Sequence, residues 1–145
     1  MSRTRPTNLF LIAALLALPS AVWAATRTAR VAGAFYPDDP TVLRATVEGL
    51  LQRHAGVAAS PVKPRILISP HAGYPYSGPV AARAFREVQG RQYDGVVVVG
   101  FTHRQAFGGT SVDDRDAYET PLGTIPIDTD AANEIVAKMR HITVV

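Results

Sequence analysis

The chain has 145 residues, 47% of them hydrophobic and 19% charged, which suits one domain with a packed core and reads as globular rather than disordered. It has no cysteine, so disulfides, thiolate metal ligands, cysteine nucleophiles and lipid-modified cysteine are excluded within these residues. Its formal charge of +3 comes from fifteen Lys and Arg against twelve Asp and Glu.

Residues 1–24 start with Arg3 and Arg5 and continue as an apolar run, Leu9 to Leu18, broken by Pro19-Ser20 before small and apolar residues lead to Ala24. This is the order of a secretory signal peptide, with cleavage expected after Ala24 and Val22 three places before the cut. The run is about ten residues long, half of the ~20 that span a bilayer as a helix, so no stable membrane span is expected after cleavage. An uncleaved N-terminal anchor is the rival reading. The expectation is an exported protein, periplasmic or extracellular. Without Arg3 and Arg5 thirteen basic residues face twelve acidic ones. That near-neutral balance argues for no nucleic-acid partner.

In the mature region, Asp39 and Pro40 form a helix start, as N-cap and first-turn proline. Leu43, Val47, Leu50, Leu51 and His54 follow at helical spacing, with His54 as a surface residue at the helix end. Residues 55–64 read as a linker inside one domain. Arg65 to Ser69 reads as a strand buried on both faces, then Pro70 to Tyr76 as a turn. Ser77-Gly78-Pro79 starts a helix bearing Ala81, Ala84, Phe85 and Val88, stopped by Gly90. Tyr93 to Gly100 reads as a second buried strand, which completes one βαβ unit with parallel strands. Thr102 to Thr120 is a polar loop. Thr124 to Ile127 reads as an edge strand, because Pro126 would spoil a central one. Asp128-Thr129 caps a helix carrying Ala132, Ile135, Val136 and Met139. Ile142 to Val145 opens another strand, so a truncated protein or fragment is expected.

His71 and His103 each follow one of the two predicted strands. Open parallel sheets bind ligands beyond the carboxyl ends of their strands, and neighbouring strands lie about 4.8 Å apart, so the two imidazoles can meet at one point. Neutral imidazole is a ligand for zinc, iron and copper. The bland reading is a pair of hydrogen-bonded loop histidines. A catalytic metal usually has three protein ligands and an open position. Asp113, Asp114, Asp116, His141 or sequence absent from these residues would have to supply the third. The acidic run reads more simply as a solvated loop, and His141 as an ordinary residue at a helix end. Tyr74, Tyr76 and Tyr118 suit a pocket wall or plain packing.

Four motifs in order carry a family resemblance: Val31-Ala-Gly-Ala-Phe-Tyr-Pro37, Pro70-His-Ala-Gly-Tyr-Pro-Tyr-Ser-Gly-Pro-Val-Ala-Ala82, Gly100-Phe-Thr-His103 and Tyr118-Glu-Thr-Pro-Leu-Gly123. The chain resembles the Memo family, also labelled AmmeMemoRadiSam system protein B. The resemblance implies a fold similar to LigB-type extradiol dioxygenases: a three-layer α/β/α arrangement around a largely parallel or mixed sheet. Residues 25–145 would be the N-terminal portion of such a domain. It also implies that His71 and His103 line a metal pocket holding an iron or copper ion, with Tyr74, Thr102 and Tyr118 as pocket-lining residues. Phe101-Thr102 departs from the family's usual Pro-Ser or Pro-Asn before the second histidine, though Thr102 keeps a hydroxyl. Pro75 replaces a branched aliphatic residue. Family members run to about twice this mature length, a single-domain size, and their further pocket Asp, His and Cys have no counterparts here.

Three functions follow as expectations. The first is a Memo-like metal protein in redox chemistry or metal handling, its partner a metal ion or small molecule. The second is a LigB-like non-haem iron dioxygenase, and the third a metal-free module that binds a small molecule or peptide. The sequence names no catalytic residue, substrate or oligomeric state.

Overall fold

The computed structural model describes residues 25–103 and 106–144, and the predicted signal peptide lies outside them. In chain order the elements are β1 (Thr26–Arg27), α1 (Pro40–Gln52), α2 (Tyr74–Arg86), β2 (Thr110–Val112), β3 (Ala117–Thr120), β4 (Gly123–Pro126), α3 (Thr129–Lys138) and β5 (Ile142–Val144). The chain is α/β, as expected, and its larger sheet is mixed: β1 pairs parallel with β3, and β3 antiparallel with β4.

The first helix forms where local chemistry dictates. Asp39 stays extended, and its Oδ1 accepts from the Val42 N–H at 2.8 Å, satisfying a donor that the first turn leaves orphaned. Pro40 opens the helix with its φ already set. Leu43 turns inward and is only 4% exposed. His54 departs from its surface reading. Its Nε2–H donates to the Pro79 carbonyl at 3.0 Å, which clips the turn after α1 onto α2 and leaves the ring part-buried.

The second helix begins at Tyr74, one turn before the predicted start. Its first donor is satisfied from a distance: the Tyr74 N–H donates to Phe35 O at 2.8 Å. Pro75 fits the first turn. Ser77, read as a cap, is instead buried inside the helix, where its hydroxyl donates to Ala72 O at 2.8 Å. Gly78 faces α1 so closely that a Cβ there would sit 3.1 Å from Leu50 Cδ1. The missing side chain is therefore what sets the approach of the two helices. Beyond Arg86 the chain turns to Gly90, whose φ of +75° suits glycine.

In the sheet, order β1-β3-β4, Pro126 pairs with Ala117 on the edge strand β4, where proline is tolerated. Asp128 caps α3 as predicted, its Oδ1 accepting from Ala131 N–H at 2.9 Å. The predicted strand at 142 forms as β5 and pairs parallel with β2. Gly109 holds a φ of +95° at this junction, and a Cβ there would fall 2.2 Å from His141 O. The strands β1, β2 and β3 were not foreseen: each is short and lacks a continuous apolar run.

One expectation is corrected. Residues 65–69 and 93–100 are not strands, and no βαβ ladder joins them. Among the described residues, no backbone hydrogen bond is made within or between these runs. Ile68 is 90% and Val98 89% exposed. A strand buried on both faces needs a ladder partner and cover above and below, and the described elements provide neither.

Asp39→Ala removes the α1 cap and is expected to lower stability by about 1 kcal/mol, with an unchanged denaturant slope. Urea unfolding checks this, and an unmoved midpoint would exclude the capping role.

Candidate functional site

Although the runs before them do not pair, the two histidines meet. His71 lies in the short connection before α2, held there because Gly73 packs on Phe35 and Tyr74 N–H is tied to Phe35 O. His103 follows the valine run through Phe101 and Thr102. The two Nε2 atoms are 3.1 Å apart and the ring centroids 5.3 Å. Phe101 completes a trio of rings, edge-on to His71 at 5.3 Å and tilted against His103 at 4.5 Å. An imidazole pair at this distance is hydrogen-bonded when one Nε2 carries the proton and the other accepts, so the two rings take opposite tautomers.

The pair also fits a metal. Two nitrogens 3.1 Å apart share a common point at the usual metal–imidazole distance of ~2.0–2.1 Å, where the two directions open by about 100°. That lies between octahedral and tetrahedral angles. The same lone pairs serve the hydrogen bond and the ion, so binding a metal replaces the proton between the rings. Both histidines and Phe101 are exposed, and the pair is open to whatever completes the site.

The other anticipated residues lie elsewhere. Among the described residues no group of three or more His, Asp or Glu side chains gathers at a metal-binding spacing. Asp113 is no solvated loop residue. With a side chain only 14% exposed, it accepts from the Arg115 backbone N–H at 3.1 Å, from Tyr118 Oη at 3.0 Å and from Arg27 Nη1 at 3.2 Å. Arg115 Nη1 adds bonds at 2.9 and 3.0 Å. These contacts lace β1, β3 and the loop before β3 together, and they occupy both carboxylate oxygens. Tyr118 is thus part of a structural cluster, its hydroxyl pushed up first by burial and then by Asp113. Asp116 pairs with Ala25, and His141 sits past α3 with its carbonyl accepting from Thr110 N–H at 3.0 Å.

Tyr74 does line a cavity, a separate one of about 590 Å³ between the 33–38 loop, α1 and α2. Phe35, Tyr36, Leu50 and Arg53 share its wall. The Tyr74 hydroxyl is pushed up by burial and by the neighbouring Tyr36, whose ring lies 5.7 Å away. Sequence reasoning missed this cavity because it exists only where the two helices cross over the loop. Its one advance sign was the Phe35-Tyr36-Pro37 motif.

Asp113 predicts an acid-side pH dependence. Burial raises its carboxyl pKa, but the bonds from Arg115 and Tyr118 outweigh this and hold it below the ordinary range. A depressed folded pKa contributes stability above the unfolded value near ~3.9, lost as pH falls through the folded pKa. Asp113→Asn should therefore lower stability at neutral pH and flatten the loss below about pH 4. Denaturation midpoints across pH check it, and parallel curves would contradict the assignment.

Comparison with known proteins places this chain in a family. Residues 27–144 match the family model described as "Memo-like protein". A MEMO1 family protein of Methanothermobacter thermautotrophicus is 40% identical over 116 residues, covering 76% of this chain and 42% of that protein. A MEMO1 family protein of Desulfurococcus amylolyticus is 35% identical over 118 residues, with 76% and 42% covered. One of Thermotoga maritima is 36% identical over 124 residues, with 79% and 45% covered. The chain spans less than half the length of these relatives. With the pattern matched from Arg27 to Val144, the chain belongs to the Memo-like protein family.

Proposed function

We propose that this Memo-like chain supplies His71 and His103 as two imidazole ligands of a transition-metal centre, iron or copper, that serves redox chemistry or metal handling. The observation that carries the reading is the 3.1 Å approach of the two Nε2 atoms. They come from segments 32 residues apart, which only the fold brings together. The bound ion would supply Lewis acidity or electron exchange. The chain's own part is to hold the ligands: Phe101 braces both rings, and the Phe35–Tyr74 bond fixes the connection that carries His71. Open positions are left for substrate, water or a further donor. His71→Ala and His103→Ala are each expected to weaken iron or copper binding by about tenfold or more. Metal analysis and titration of purified protein check this, and unchanged metal content in both variants would sink the reading.

A second, metal-free reading is favoured by the cavity beside Tyr74, whose volume is in the range of small-molecule sites. A ligand bound at full affinity in the presence of chelator would move the function there.

Export is proposed as well. It is supported by the signal-like order of residues 1–24 and by the chemistry at the expected cut. The Ala25 nitrogen lies 2.7 Å from Asp116 Oδ2, and Ala25 O accepts from Asp116 N–H at 2.8 Å. Cleavage after Ala24 would convert the first of these into an ammonium–carboxylate pair, the stronger kind of hydrogen bond. Intact mass of the protein recovered from its native host is expected to start at Ala25, and a retained Met1 would contradict cleavage.

A further inference from the structure

The cavity beside Tyr74 has walls of two kinds. Tyr36, Tyr74 and Leu50 are half-buried and form its depth, whereas Asp38 and Arg53 line it yet are exposed. One charge of each sign therefore stands where the cavity opens to solvent. Among the described residues neither side chain makes a hydrogen bond, an ion pair or a ring contact, and the two lie beyond ion-pair reach of each other. An added Cβ at Gly33 would stand 3.4 Å from Asp38 Oδ2, so that carboxylate rests over a glycine whose φ is +77°. Opposite charges that share a cavity without cancelling complement a ligand carrying both signs.

We propose that this cavity binds a small aromatic zwitterion, an amino acid or short peptide. Its carboxylate pairs with Arg53, its ammonium with Asp38, and its ring packs on Tyr36 and Tyr74. A guanidinium presents paired donors to a carboxylate, while an ammonium has three donors and needs acceptors. Pro75 adds one acceptor. It also lines the cavity, and Pro79, four residues on within α2, has no N–H to give to the Pro75 carbonyl. The Tyr36 and Tyr74 rings, with centroids 5.7 Å apart and planes inclined at 45°, form an angled face on which a third ring can stack or stand edge-on. The volume of about 590 Å³ lies within the ~300–1,000 Å³ of small-molecule sites.

The walls all come from residues 33–79 and are tied to one another. Within the loop, Gly33 N–H donates to Tyr36 O at 2.8 Å, and Tyr74 N–H joins α2 to Phe35 O at 2.8 Å. His54 Nε2–H closes the far side on Pro79 O at 3.0 Å. A site fixed in this way loses little freedom when it is filled. The inference rests on the reading of the cavity as a small-molecule site, and it is independent of any ion between His71 and His103.

The test is isothermal titration calorimetry of the full chain, with chelator present. The probes are L-phenylalanine, L-alanyl-L-phenylalanine, N-acetyl-L-phenylalanine and the neutral N-acetyl-L-phenylalaninamide. The two zwitterions are expected to bind at least about tenfold more tightly than the amide. Arg53→Gln should weaken both zwitterions about tenfold and leave the amide unchanged. Asp38→Asn should weaken the zwitterions but not N-acetyl-L-phenylalanine, which has no ammonium. Tighter binding of phenylalanine assigns a free amino acid and tighter binding of the dipeptide a peptide, and either result supports the proposal. Zwitterions that bind no better than the amide, or that bind equally well to both variants, overturn the ligand class while the cavity stands as a small-molecule site. Binding of none of the four probes overturns both.

Discussion

The 2.8 Å bond from Tyr74 N–H to Phe35 O is the interaction on which the rest of the site depends. It supplies the helix start that no side chain provides, since Gly73 has nothing with which to cap α2. The same bond pins the 31–37 loop to the connection carrying His71. Gly73 lies directly against Phe35, where an added Cβ would stand 3.4 Å from its ring and carbonyl oxygen. From this point α2 runs against α1, with Gly78 over Leu50 and His54 closing on Pro79. The loop, the two helices and the first histidine thus form one mechanical unit, and the cavity beside Tyr74 is the space they leave.

The sheet is held by a different device. Asp113 gathers Arg27, Arg115 and Tyr118 from three short segments, none of which has the apolar content to pack unaided. A carboxylate that is mostly out of water is tolerable only when its oxygens are filled, and here five hydrogen bonds fill them. That satisfaction removes Asp113 from any list of metal ligands. Charge already neutralised by two guanidinium groups has little left to offer a cation.

What was legible in the sequence was local. Asp39-Pro40 and Asp128-Thr129 announce their helices because capping acts within three residues, and Pro126 marks an edge strand because it lacks a ladder donor. The start of α2 was misplaced because its decisive partner, Phe35, lies far back in the chain. Strands predicted at 65–69 and 93–100 failed for a related reason: the β-branched pattern states what a segment needs, while a strand exists only where another supplies the ladder. The meeting of His71 and His103 was legible from position alone, yet it arises with Phe101 wedged against both rings and not from the paired strands that first suggested it. The bond of Tyr118 to Asp113, shared with Arg27, was not legible because it depends on pairing of β1 with β3.

The claim at the centre is that these two imidazoles share one ion. Electron paramagnetic resonance of the copper(II)-loaded full chain tests it most directly, because nitrogen couplings report the imidazoles bound to the metal. The account predicts couplings from two imidazoles, falling to one in either single variant, His71→Ala or His103→Ala. A spectrum without imidazole nitrogen, or one unchanged by both substitutions, would contradict it.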